Sequence, residues 1–298
     1  MIQYIDIHCL GFWPDYDASF LASAQHPYKI HIINPYLLSR FAQQISKYPR
    51  ILREPFIQHY ICNYIKQHDQ DFFVFGENRV ILKTLAKFKT LVNGAIILRN
   101  CITKPNGKSV RLLKKLKERG YSIWSFDQSD CDQFGFSWYR QFISPLTPKT
   151  HIEPQVDFAF IGQDKGRKSI LDKLAQLLNT TGYSYNFDIR SGNQANLSYE
   201  QYLSQILRAK CLVDIVQTGQ TGLTLRPLEA LIYNRKLLTN NTSILSQDFY
   251  SPENILVFNE MVKQEEIESF MNMPLSPANQ DIVNIYGANQ LFKTILVK

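Results

Sequence analysis

The stretch Cys211-Leu-Val-Asp-Ile-Val-Gln-Thr-Gly-Gln-Thr-Gly-Leu-Thr-Leu-Arg-Pro-Leu-Glu-Ala-Leu-Ile-Tyr-Asn-Arg-Lys-Leu-Leu-Thr239 decides the fold. It opens on an apolar run, Cys211 to Val216, rich in residues that suit a pleated, buried surface. A loop heavy in Gly and Thr follows, 217–226. Pro227 then stands where proline suits the start of a helix, and the helix runs to about Asn234. A second apolar run, Lys236 to Thr239, closes the unit. Strand, helix and strand joined this tightly make a βαβ unit, which demands parallel strands.

The same alternation extends in both directions. Upstream, 156–161 reads as a strand ending in the loop Gly162-Gln-Asp-Lys-Gly-Arg167. A helix over 168–178 follows, with Ile170, Leu171, Leu174, Leu177 and Leu178 at helical spacing. A strand is expected at 187–190. Ser198 and Gln201 form a capping-box pattern that opens a helix reaching about 209. A last strand is expected at 254–258. In the first half, 4–7, 29–33, 71–75, 94–98 and 121–124 read as strands with helical stretches between several of them. Segment 144–154 carries three prolines in eleven residues and disfavours both helix and central strand. It divides the chain into two expected α/β domains, 1–148 and 149–298, the last helix being able to pack back on the first domain.

The chain has 298 residues, 45% hydrophobic and 20% charged, enough for real cores. Its net charge of +7 favours anionic partners such as phosphorylated small molecules, anionic lipid or nucleic acid. Five cysteines with no CxxC pair argue against a disulfide framework and for a reducing compartment. The amino-terminal segment has no basic region ahead of an apolar one, and no apolar run approaches the roughly 18 residues of a membrane span. A cytoplasmic protein is expected, with any membrane contact peripheral, at the inner face.

Two strand-to-helix loops have the chemistry to hold an anion. In loop 162–167, Gly162 and Gly166 can take left-handed backbone angles and bring amides close to a diphosphate, while Lys165 and Arg167 add charge at a helix amino terminus. The loop also serves as an ordinary turn with solvated charges. In loop 217–226, Gln217, Gly219, Gln220, Thr221, Gly222, Leu223 and Thr224 offer amides and hydroxyls suited to sugar and phosphate oxygens. Arg226 supplies a fork that matches phosphate. Glu229, early in the next helix, can accept from two vicinal hydroxyls of a ribose, or cap its own helix with Arg226 as its partner.

In this order the second half resembles the nucleotide-sugar-binding domain of GT-B glycosyltransferases, particularly bacterial enzymes that build surface polysaccharide such as lipopolysaccharide or capsule. The resemblance covers about 156–259, and the first half agrees in outline. It implies two Rossmann-like domains with parallel sheets facing a cleft. Loop 162–167 would lie by the donor diphosphate, the loop from Gly219 to Arg226 would contact donor phosphate and sugar, and Glu229 would bind the ribose. It further implies metal-independent transfer from a nucleotide sugar, a substrate rather than a cofactor, to an oligosaccharide or lipid-linked glycan. One departure matters. Many retaining members carry a second Glu eight residues before the first, and here that position is Thr221. The stereochemical outcome stays open.

An inverting transferase needs a general base near the attacking hydroxyl. Glu77, after "DFFVFG", is the first candidate, followed by Asp15, Asp17, Asp127, and His8 at the end of the first strand. The basic stretch 104–119 has seven basic residues and one acidic, and suits either an anionic membrane or a solvated helix face. Aromatic-rich 134–139 suits packing or sugar stacking. No DxD triplet or His/Cys ligand cluster is visible, and no nucleic-acid-binding motif. Two alternatives share the donor site: a nucleotide-sugar epimerase, and a non-catalytic sugar-nucleotide-binding protein.

Overall fold

In the computed structural model the described residues are 4–12, 15–34, 49–102, 105, 107–145, 152–190, 197–217 and 220–297, the side chains of residues 15, 50 and 51 excepted. Two compact units form: Met1–Arg140 with Ala288–Lys298, and Gln141–Gly287. The division falls a few residues before the proline-rich segment, of which 146–151 lies outside the described residues.

The first unit contains β1 (Ile5–Leu10), β2 (Tyr28–Ile33), β3 (Phe72–Gly76), β4 (Gly94–Ile97), β5 (Ser122–Ser125) and β6 (Ser137–Trp138). They form one sheet in the order β2-β1-β3-β4-β5-β6, every pair parallel. Helices α1 (Asp15–Ala22), α2 (Arg50–Gln67), α3 (Arg79–Lys87), α4 (Lys108–Glu118) and α5 (Gln128–Phe134) connect these strands. The carboxyl-terminal α11 (Ala288–Leu296) belongs to this unit. Its buried Phe292 packs on the ring of Tyr28, with centroids 5.4 Å apart.

The second unit contains β7 (Val156–Gln163), β8 (Tyr185–Arg190), β9 (Ala209–Asp214), β10 (Lys236–Thr239) and β11 (Ile255–Val257), in the order β11-β10-β9-β7-β8, again all parallel. Helices α6 (Lys168–Thr181), α7 (Tyr199–Ile206), α8 (Arg226–Ile232), α9 (Gln264–Asn272) and α10 (Gln280–Asn284) complete it. The central strands are apolar on both faces, as parallel strands covered by helices must be. Phe158, Ala159, Phe160 and Ile161 of β7 are all buried. Helix α6 buries Leu171, Leu174 and Leu178 along one stripe and stops at Gly182, whose φ of +75° is left-handed. Helix α7 begins at the Ser198–Gln201 capping box that the sequence predicts.

Both sheets share one winding order. Read from one edge, each runs second strand, first, third, fourth, fifth. The winding reverses between the first and third strands, at β1/β3 in one unit and β7/β9 in the other. Open α/β sheets bind ligands past the carboxyl ends of their strands at this reversal. Among the described residues, no helix is long and apolar enough to cross a membrane.

Candidate functional site

At the β7/β9 reversal the two anion-suited loops of the sequence stand side by side. Strand β7 runs on through Gln163, so Gly162 lies in the strand and not in the loop. It has no left-handed angle, and a Cβ there would meet the Phe160 ring at 3.3 Å. The turn proper is Asp164–Arg167. The Arg167 N–H donates to the Asp164 carbonyl at 2.8 Å, with φ of +45° at Lys165 and +83° at Gly166. Two left-handed central residues mark a type I′ turn. Gly166 adopts its angle freely, while Lys165 holds an unusual one for a residue with a side chain. The Asp164 carboxylate accepts from the Lys168 N–H at 2.9 Å. It thus takes up a first-turn amide of α6 that the sequence reading offers to a diphosphate. Lys165 is exposed, and the Arg167 guanidinium lies 5.9 Å from the Phe160 ring centre.

The second loop is pinned by its carbonyls and by neighbouring amides. Asn240 Oδ1 accepts from the Val216 N–H at 2.9 Å, and Gln141 donates to the Leu223 carbonyl at 3.2 Å. The Gly222 carbonyl accepts from Asn241 and Gln220, each at 3.4 Å. Gln217, Gln220 and Thr224 are half-buried, Thr221 is exposed, and Gly222 and Leu223 are buried. Thr218 and Gly219 lie outside the described residues.

Arg226 corrects an expectation. Its fork, read from the sequence as a phosphate clamp, is turned into the sheet. One arm donates to the Val213 carbonyl at 3.0 Å and the other to the Ile161 carbonyl at 2.7 Å, tying the ends of β9 and β7 together. The guanidinium lies 4.8 Å over the Phe160 ring and 3.5 Å from the Asp214 carboxylate. Its buried Nε finds no hydrogen-bond partner among the described residues. Asp214, at the end of β9, is a buried member of this network that the sequence reading misses. It is fully buried and accepts from Thr224 at 2.9 Å and Thr239 at 3.4 Å. A single Asp inside an apolar run is the available signal, since a buried carboxylate needs partners.

Glu229 is 1% exposed, and both of its oxygens are occupied. Tyr199 donates to one at 2.8 Å and Tyr202 to the other at 2.6 Å, both from α7. Neither the helix-cap reading nor an open ribose-binding carboxylate describes this arrangement. Burial pushes the Glu229 carboxyl above the usual carboxylate range, opposed by Tyr202 and Arg226. A folded-state pKa above the unfolded one contributes stability that is complete in acid and is lost as pH rises through the folded value. Glu229→Gln removes that dependence. The variant is expected to match or exceed the parent at neutral pH, with the difference closing in acid. Urea midpoints compared across pH check this, and a variant deficit that grows from acid to neutral pH would contradict it.

The β1/β3 reversal in the first unit is equally specific. The chains leaving β1 and β3 approach so closely that a Cβ at Gly76 would sit 2.7 Å from the Gly11 carbonyl oxygen. Glu77 follows directly and accepts a short hydrogen bond from the Asn100 side chain. Burial raises its pKa, opposed chiefly by Asn100 and then by Arg99. Asp17 lies in α1, buried and paired with the Arg99 Nε at 2.8 Å. Tyr139 donates to the Leu98 carbonyl at 2.6 Å and meets Arg99 at 3.4 Å. Glu77, Asn100, Cys101 and Lys108 border an open depression of about 420 Å³.

The remaining candidates fall elsewhere. Asp127 caps α5, accepting from the Asp130 N–H at 3.3 Å. Asp15 is the first residue of α1, and its side chain is not among those described. His8 is in the middle of β1, paired with His31 and Phe73, and not at the carboxyl end of the strand. Phe134, Phe136 and Tyr139 are buried, leaving Trp138 exposed, so 134–139 is chiefly packing. Helix α4 buries Val110, Leu113 and Leu116 and turns its lysines outward, while Arg119 donates to the carbonyls of Leu85, Ala86 and Phe88 at the end of α3. A cation there suits the helix dipole.

No family model and no curated protein matches the chain. Among solved structures it is similar to CalG4, the calicheamicin glycosyltransferase, at 11% identity and a TM-score of 0.37, over 99% of this chain and 94% of that one. A likeness at that score carries no functional argument.

Proposed function

We propose that the chain transfers a sugar from a nucleoside-diphosphate sugar to a glycan or lipid-linked acceptor, in the manner of the surface-polysaccharide enzymes its second half resembles. The observation that carries this reading is the position of loops 164–167 and 215–225, which leave adjacent strands β7 and β9 where the sheet winding reverses. Lys165, the amides around Gly166, and the Gln and Thr side chains of the second loop would hold the diphosphate and sugar. Arg226 and Glu229 act beneath them as positioning residues, locking the two strand ends and α7 into one frame. Glu77 is the general base on the acceptor side. The leaving diphosphate is stabilised by basic side chains and backbone amides.

A thermal-shift screen of nucleoside diphosphates and nucleotide sugars, followed by product analysis, tests this. A ligand at a hundred times its Kd is expected to stabilise the fold by about 2.7 kcal/mol. Lys165→Ala, an exposed change, should weaken diphosphate binding by about tenfold, the loss of one charge-assisted contact. Release of the nucleoside diphosphate only with acceptor present supports transfer. Conversion of the donor without acceptor points to an epimerase, and no response to any nucleotide overturns the reading.

A further inference from the structure

The geometry points to a divalent-metal site, of the zinc class, formed by His8, His68 and Asp71 in the first unit. The sequence shows no ligand spacing here, because the three residues come from the middle of β1, the end of α2 and the entry to β3. The fold brings His8 Nε2 to 2.9 Å and His68 Nδ1 to 3.1 Å from the same oxygen, Asp71 Oδ2. All three ligand atoms lie within 4.8 Å of one another. A tetrahedral zinc with bonds of about 2.0–2.1 Å holds its ligand atoms roughly 3.3 Å apart, so two of the three separations are already near the required value. Two imidazoles and one carboxylate suit zinc and related borderline cations, and three protein ligands leave a fourth position for water.

The surroundings supply what such a site needs beyond its ligands. His8 is 2% exposed, and its other nitrogen, Nδ1, meets the Tyr64 hydroxyl at 2.7 Å. Metal ligation takes the His8 tautomer that bares Nε2 and places the proton on Nδ1, with the Tyr64 oxygen as acceptor. That is the outer-shell partner that orients ligating histidines. His31 stacks on His8 at 4.6 Å, nearly parallel, but its Nε2 is engaged by Asp6 at 2.7 Å and stays out of the ligand set. Asp71 and His68 are about one-third exposed, at 32% and 36%, which gives the ion a path in and room for water. The ion would clip β1, α2 and β3 together at the amino-terminal side of β3, away from Glu77. The site lies off the carboxyl-end loops of β1 and β3, so the proposed transfer chemistry does not pass through it.

The test uses the full chain, stripped with chelator and titrated with Zn²⁺ by calorimetry, with Co²⁺ absorption as a readout of coordination. One ion per chain is expected, with a rise in thermal stability. His68→Ala and Asp71→Asn, both at partly exposed positions, should each weaken binding by at least about tenfold, and Tyr64→Phe by about tenfold. His31→Gln should bind as the parent does. Circular dichroism establishes that each variant is folded. The proposal is overturned if no saturable binding occurs, or if binding survives unchanged in His68→Ala and Asp71→Asn.

Discussion

Arg226→Met is expected to lower the unfolding free energy by about 3–5 kcal/mol, because it strips a buried charge network of a central cation. Methionine fills much of the volume, so the loss is electrostatic and hydrogen-bonded rather than steric. The Val213 and Ile161 carbonyls lose their donors in the interior. Each buried acceptor left unmatched costs about 1–3 kcal/mol. Asp214 and Glu229, both nearly inaccessible, lose the cation between them. The Glu229 carboxyl, already raised by burial and held down in part by Arg226, then rises further, so the deficit should widen as pH increases and narrow in acid. Urea denaturation across pH reads both signatures. Adding Glu229→Gln to the Met variant should recover part of the loss, since one of the stranded carboxylates is gone; the two residues belong to one network and their effects do not add. A solvent-facing phosphate clamp predicts the reverse pattern, with little loss of stability and a large loss of diphosphate affinity. A deficit below about 1 kcal/mol would return Arg226 to that role.

Arg226 also marks the limit of what sequence patterning reveals. Hydrophobic runs locate β7, β9 and β10 well because parallel central strands are apolar throughout, and Lys236–Thr239 coincides with the expected strand. The start of β9 is missed at Ala209 and Lys210, whose side chains carry little strand preference. The two-residue β6 is hidden in an aromatic stretch that reads as packing. Where a single long side chain points is a different matter. A loop-to-helix arginine can reach outward to phosphate or inward to strand-end carbonyls at the same sequence position, and periodicity does not separate these. The tyrosines that hold Glu229 lie about 30 residues upstream in α7, and Tyr64, His68 and Asp71 lie some 60 residues from His8. Such clusters become visible only once strand order places their elements together. The carboxyl-end loops were legible because the βα rhythm itself announces them.

Glu77→Gln is expected to reduce turnover of the transfer reaction by about 10²–10⁴-fold, the range for loss of a general base. The expectation rests on position and on proton affinity. Glu77 leaves β3 at the β1/β3 reversal, beside the close approach of Gly11 and Gly76, where open sheets place reactive groups. Burial raises its pKa, and the Asn100 hydrogen bond and Arg99 only partly offset this. A carboxylate made more basic in this way is better matched to accepting a proton from a hydroxyl near neutral pH. The base works only when ionised, so turnover should climb with pH through the raised Glu77 pKa and level above it. Glutamine keeps the size and can still accept from Asn100, so the variant should fold and bind donor normally while losing that limb of the pH profile. Burial raises the Asp17 carboxyl too, opposed by Arg99, but Asp17 is buried within α1 and held by the Arg99 Nε at 2.8 Å, whereas Glu77 directly follows β3. Unchanged turnover in Glu77→Gln, or a profile that keeps its acid limb, would exclude Glu77 as the base.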